Sequence, residues 1–218
     1  MSFAPSLLHM KVSEKNAVIP MKLDHCIEVP KRAPFFRKLL TNSLTEINNF
    51  DIPAGITHLK DYLFQNNTGL ATVNLDYVTS IGNYTFHNCG ITSLNMPNLE
   101  TVGTNAFSTN PFEEVCLPAL ESVNEMAFVA CHNLKKLDFT ALTQIRSRAF
   151  YNCENLDTII FRGNTMVPFM GSSPFTGTKF ADGTGYFYVK ANVLSEYQND
   201  SGWQLYGNQF RTIEDYSL

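Results

Sequence analysis

Apolar residues fall along most of this chain in one recurring arrangement. Written from the first apolar position, LATVNLDYVTSIGNYTFHNCG (70–90), ITSLNMPNLETVGTNAFSTNP (91–111), FEEVCLPALESVNEMAFVACHN (112–133) and LKKLDFTALTQIRSRAFYNCEN (134–155) repeat it every 21 or 22 residues. Each segment opens on Leu70, Ile91, Phe112 or Leu134. Three residues on come Val73, Leu94, Val115 and Leu137, and two further on Leu75, Met96, Leu117 and Phe139. Apolar positions two apart predict a short strand with one buried face. A second apolar pair follows (Val78/Ile81, Leu99/Val102, Leu120/Val123, Leu142/Ile145). The unit then closes on a small residue and a large ring, Thr85-Phe86, Ala106-Phe107, Ala127-Phe128 and Ala149-Phe150.

One unit of this length cannot bury its own apolar side, whereas stacked copies form continuous inner ladders about 4.8 Å apart. The pattern therefore predicts an α/β solenoid, with a parallel sheet on one side and turns with short helical segments on the other. Pro97 and Pro118 end the strands, and Gly82 and Gly103 give the return turn a permissive backbone. A looser copy spans residues 44–69, with Ile47, Leu59 and Phe64 in the strand, turn and ring positions and about four extra residues near 51–55. A degenerate copy starts at Leu156 and carries Phe175 as its ring. The expected organisation is an N-terminal cap or docking segment (1–43), about six repeats (44–179) and a C-terminal cap (180–218). That cap reads as a strand over 186–190, a helix capped by Asn192 and running to Asn199, packed Trp203 and Tyr206, and a last strand over 211–214.

Composition narrows the function. With 44% hydrophobic and 12% aromatic residues the chain is not a disordered polymer. Sixteen basic against twenty acidic residues give a net charge of −4, without the basic stripe a nucleic acid would require. The short cluster Lys31, Arg32, Arg37 and Lys38 reads as a solvated edge of the N-terminal cap. No apolar run approaches the roughly 18 residues of a membrane helix, so membrane insertion is not expected. The opening residues show no secretory signal pattern.

Cys89, Cys131 and Cys153 share one register, three residues after each ring. A disulfide or metal site is one reading, and a small apolar side chain in a tight inner ladder is the other. Even spacing inherited from the repeat favours the second. Cys116 should point outward and be the thiol most open to reaction. His87-Asn88-Cys89 and Cys131-His132 resemble metal-ligand fragments, but their side chains should diverge. Neither GxSxG nor HExxH occurs, and no catalytic residue, cofactor or metal is expected.

The outward strand positions carry more interest. Thr72, Ser93, Glu114, Lys136 and Thr158 form one file, and Asn74, Asn95, Cys116, Asp138 and Ile160 the other. Of these, Thr72, Asn74, Ser93, Asn95, Glu114, Lys136 and Asp138 are the candidate partner-binding face. The same pattern also describes the solvated side of an ordinary strand.

The unit LxxLxLPxLxxVxxxAFxxCxx closely resembles the BspA-like leucine-rich repeat family. NTMVPFMGSSPFTGTKF resembles that family's degenerate penultimate unit, and GYFYVKANVLSEYQNDSGWQLYGNQFRTIEDY its terminal cap. The sequence departs from the pattern at Asn110, where the cysteine is missing, and at Lys190, where the cap usually has proline. The resemblance implies a leucine-rich-repeat solenoid acting as a non-catalytic interaction module, its partner a protein or surface glycan. It implies adhesion at an extracellular or cell-surface location. The alternative is a structural component of a larger assembly, such as a phage tail or cell-surface fibre.

Overall fold

In the computed structural model, residues 8–10, 19–21, 49–52 and 55–216 are described, with side chains from Ile52 onward. The basic cluster at 31–38, Cys26 and Ile47 lie outside them. Leu8–Met10 and Ile19–Met21 pair antiparallel. From Asn49 the chain winds as a parallel β-solenoid of about seven turns.

Its longer face consists of Asn49–Asp51, Thr72–Asn74 and Ser93–Asn95, then Glu114–Leu117, Lys136–Phe139, Thr158–Phe161, Tyr186–Val189 and Phe210–Thr212. Every named pair within it is parallel. A second sheet, one side round, stacks His58–Leu59, Ser80–Ile81, Thr101–Val102, Ser122–Val123 and Gln144–Ile145 in chain order. The two-residue alternation is reproduced as burial: Val73, Leu75, Val115, Leu117, Leu137 and Phe139 face inward and are buried.

The ring position forms one column through the molecule. Phe64, Phe86, Phe107, Phe128, Phe150 and Phe175 stack at centroid distances of 5.1, 5.6, 5.5, 5.8 and 5.8 Å. Ala106, Ala127 and Ala149 before the ring are fully buried, as is Thr85, whose hydroxyl donates to the Lys60 and Gly82 carbonyls. A larger side chain there would collide with the neighbouring coil.

The return segment is built from residues the repeat pattern did not single out. Two positions before and two after each of the first five rings the backbone is left-handed: Tyr62/Asn66, Tyr84/Asn88, Asn105/Thr109, Met126/Ala130 and Arg148/Asn152. Between these positions every second N–H points along the solenoid axis. Tyr84, Phe86 and Asn88 thus donate to the carbonyls of Thr104, Ala106 and Ser108 in the next coil. This satisfies buried backbone groups without a strand.

Several expectations are corrected. Gly82 and Gly103 do not need a left-handed backbone. They let coils touch: a Cβ on Gly103 would lie 2.5 Å from the carbonyl carbon of Gly82. In the first copy Phe50, not Ile47, pairs with Val73, while Leu59 pairs with Ile81. Phe50 to Leu59 is nine positions against eight from Val73 to Ile81, so one residue is inserted rather than four. In the cap the strand stops at Val189. Helix α1, Leu194–Asn199, is preceded by Val193 and not capped by Asn192. The last strand is Phe210–Thr212, and Ile213–Tyr216 form a short helix, α2.

The cap closes the open end with aromatic rings. Trp203 is fully buried and its indole N–H donates to the Val167 carbonyl, while the Tyr197 hydroxyl accepts from Val167 N–H. Phe187 stacks on Phe161 at 6.2 Å and Phe210 on Phe187 at 5.0 Å, carrying the core to the last strand.

Candidate functional site

Strand pairing sets the outer side of the longer face, which is made of a three-stranded and a five-stranded sheet. In one file Thr72 pairs with Ser93, and Glu114 with Lys136, Thr158 and Tyr186 in turn. In the other Asn74 pairs with Asn95, and Cys116 with Asp138, Ile160, Tyr188 and Arg211. All seven candidate residues stand on this face. They do not form one continuous open surface.

Among the residues with described side chains, strands Thr72–Asn74 and Ser93–Asn95 are uncharged, and Asp76 follows the first of them. Thr72 and Ser93 are exposed. Asn74 and Asn95 serve their own turns: Asn74 Oδ1 accepts from Asp76 N–H at 3.0 Å, and Asn95 Nδ2 donates to Asp76 Oδ1 at 2.5 Å. They tie adjacent coils as much as they offer groups to a partner.

The C-terminal half carries charge and tyrosine. Lys136 Nζ donates to Glu114 at 3.3 Å. It also lies 5.4 Å from the ring centre of Tyr216, whose hydroxyl, with Glu114, pushes the Lys136 pKa up. Asp138 accepts two hydrogen bonds from Arg162, at 2.8 and 2.7 Å. Arg211 sits 4.6 Å from the ring centre of Tyr186, and Tyr188 meets Tyr216 edge-on at 4.8 Å.

Sequence reasoning missed Arg162, Tyr186, Tyr188, Arg211 and Tyr216 as parts of this face. Tyr186 and Tyr188 alternate with buried Phe187 and Val189, which was a usable signal. Nothing periodic marks Tyr216. Ile160, expected among solvated positions, is fully buried.

Cys89, Cys131 and Cys153 are buried free thiols that donate to the carbonyls of Phe64, Phe107 and Phe128. Asn110, in the same register, donates its amide to the Phe86 and Phe107 carbonyls, so it replaces the thiol by doing the same work. Cys116 is exposed as expected, but partial burial and then the Asp138 charge push its thiol pKa up, which disfavours the reactive thiolate. Cys89 Sγ faces the core, whereas His87 Nδ1 meets Ser108 Oγ, so the two do not converge on an ion. Among the described residues no three His, Cys, Asp or Glu side chains gather as a metal site. The His87–Ser108 pair is structural, since Ser108 is fully buried and its hydroxyl donates to Asn105. Among the described residues no helix is long and apolar enough to cross a membrane.

Short parallel strands, inner ladders and a flat outer face define a leucine-rich repeat solenoid, a class that typically serves as a non-enzymatic scaffold for interaction. The BspA type leucine-rich repeat region matches in six copies over residues 35–112 and 69–181. The chain belongs to that family. A crystal structure of a leucine-rich repeat protein from Bacteroides ovatus is similar in fold, with a TM-score of 0.50 and 22% identity over 66% of this chain. This chain spans 39% of that protein's length. No curated protein matches by sequence.

Proposed function

We propose that the chain is a non-catalytic interaction module of the adhesion type that binds a protein or surface glycan through the outer side of its longer face. The observation that carries this reading is the concentration of tyrosine and arginine at one end of the longer face. Those residue types dominate interface energetics. An extracellular or cell-surface location belongs to the same proposal. It is supported only by the family resemblance.

The test is a binding screen of the purified chain against immobilised matrix proteins and surface glycans, repeated with Thr72→Arg/Ser93→Arg. Both side chains are exposed, so the melting temperature should hold while affinity for the recovered partner falls at least about tenfold. Unchanged affinity would remove the Thr72/Ser93 half of this face from consideration, and unchanged affinity in Tyr186→Ala as well would remove the tyrosine- and arginine-rich end that carries the proposal. The alternative, a structural spacer in a larger assembly such as a phage tail or surface fibre, is favoured by residues 1–34, which the family match leaves uncovered. Deleting them would then abolish assembly while the solenoid still folds.

A further inference from the structure

Ile160 is out of place. It is fully buried, yet it stands in the outward file between Asp138 and Tyr188 and does not belong to the contiguous hydrophobic core. The groups around it on this face can supply its cover. Arg162 reaches back past it to the Asp138 carboxylate, Tyr188 stands on the next strand, and Tyr216 packs against Tyr188 at 4.8 Å. Lys136 approaches the same Tyr216 ring.

Tyr216 is delivered by α2, which differs from the rest of the cap. Tyr197, Trp203 and Phe210 are buried, whereas no residue of α2 is, and Tyr216 itself is 38% exposed. Four residues are far too few to hold a helix unaided. What holds α2 locally is the Asp215 carboxylate, which accepts from Thr212 N–H at 2.9 Å and from the Thr212 hydroxyl at 2.8 Å. Lifting α2 therefore exposes almost none of the core and breaks few bonds.

We propose that α2 is a strap over a docking patch made by Lys136, Asp138, Ile160, Arg162 and Tyr188. Closed, the patch holds the strap's own Tyr216. Open, it accepts an aromatic side chain from a partner polypeptide. An apolar centre, a cation beside the ring and a ring of charged hydrogen-bonding groups match the chemistry that Tyr216 already satisfies there. This deepens the reading of the outer face as an interaction surface and rests on it.

The test places a reporter under the strap: Ile160→Cys in a Cys116→Ser background, modified with iodoacetamide and read by mass spectrometry. Cys116 occupies the same file two coils earlier, so a cysteine fits such a position. Adding Tyr216→Ala should speed modification by about tenfold or more, with a melting temperature little changed, because only a local opening is relieved. A synthetic peptide spanning residues 212–218 should slow modification of the Tyr216→Ala chain, and the same peptide with alanine for tyrosine should not. Equal rates with and without Tyr216, or a fall in melting temperature like that of a core loss, would overturn the strap. A peptide without effect would overturn the patch as an aromatic acceptor. The readout needs no external partner, so its failure leaves the binding test at Thr72 and Ser93 independent.

Discussion

Asp138 and Arg162 clasp each other across adjacent coils on the outer face, Nε to Oδ1 at 2.8 Å and Nη2 to Oδ2 at 2.7 Å. The Asp138 side chain is only 15% exposed, so the pair is shielded from solvent in a way that Lys135–Glu113, with both side chains more than half exposed, is not. Bidentate geometry in partial shelter places it above the usual surface pair. In a double-mutant cycle, Asp138→Asn and Arg162→Gln should show a coupling of about 1–2 kcal/mol by urea denaturation. The pair Lys135→Gln and Glu113→Gln should show under about 0.5 kcal/mol. Equal couplings would mean that the clasp is merely a surface contact. Asp138 is consequently a poor residue for testing binding, since changing it also changes stability.

Phe128 lies at the middle of the ring column, 5.5 Å from Phe107 and 5.8 Å from Phe150, and meets Phe112 edge-on at 6.1 Å. It has no solvent exposure. Phe128→Ala should cost about 3–5 kcal/mol, because stacked coils on both sides cannot collapse into the void. Tyr84→Ala, at a partly exposed position of the return segment two coils earlier, should cost much less. Comparable losses in the two would show that the column is not the dominant source of cohesion.

Why the column was legible and the outer face was not follows from the physics of each. Burial constrains residue type, so Phe86, Phe107, Phe128 and Phe150 recur at fixed intervals and expose the coil length at once. The outer face is constrained by local pairings that change from coil to coil: Asp76 with Asn95, Glu114 with Lys136, Asp138 with Arg162. Its position could be read from alternation, and so could the cross-strand pair of Glu114 with Lys136, but the Asp76–Asn95 and Asp138–Arg162 pairings could not. Tyr216 reaches that face only because the chain turns back after Thr212, and no periodicity records such a return. The first coil failed for another reason. Ile47 and Phe50 are both apolar, and only strand pairing decides which one faces Val73.

The left-handed positions flanking each ring were also readable in part. Asn66, Asn88, Asn105 and Asn152 occupy four of them, and asparagine tolerates that backbone best after glycine. The others carry side chains that resist it, Ala130 among them at φ 56°. Ala130→Gly should remove about 1–2 kcal/mol of backbone strain and give back about half in chain entropy, for a net gain of up to about 1 kcal/mol. Ala127→Gly, three residues away on an ordinary backbone and fully buried, should lose about 1 kcal/mol. Opposite signs for two neighbouring Ala→Gly changes, read from thermal denaturation, are the expected outcome. A loss at both would mean that the left-handed residue is not strained.

The buried thiols set how the fold responds to alkali. Burial pushes the Cys89 pKa from its ordinary 9.0 to about 12, the Asn67 backbone offsetting only part of this, and pushes Cys153 well up as well. The folded chain therefore keeps these protons at a pH where the unfolded chain has released them. A raised folded-state pKa contributes stability that is complete below the unfolded value and is lost as pH rises towards the folded one. Between about pH 9 and 12 Cys89 should lower stability by about 1.4 kcal/mol per pH unit, with Cys153 acting in the same direction. Melting temperature measured against pH should be flat near neutrality and fall steeply above pH 9. In Cys89→Ala the starting stability is lower for want of a core atom, but the alkaline slope should be shallower. An unchanged slope in that variant would mean that the thiol is not held neutral by burial. At neutral pH the same burial should leave Cys89, Cys131 and Cys153 unlabelled in the folded chain while exposed Cys116 is modified slowly.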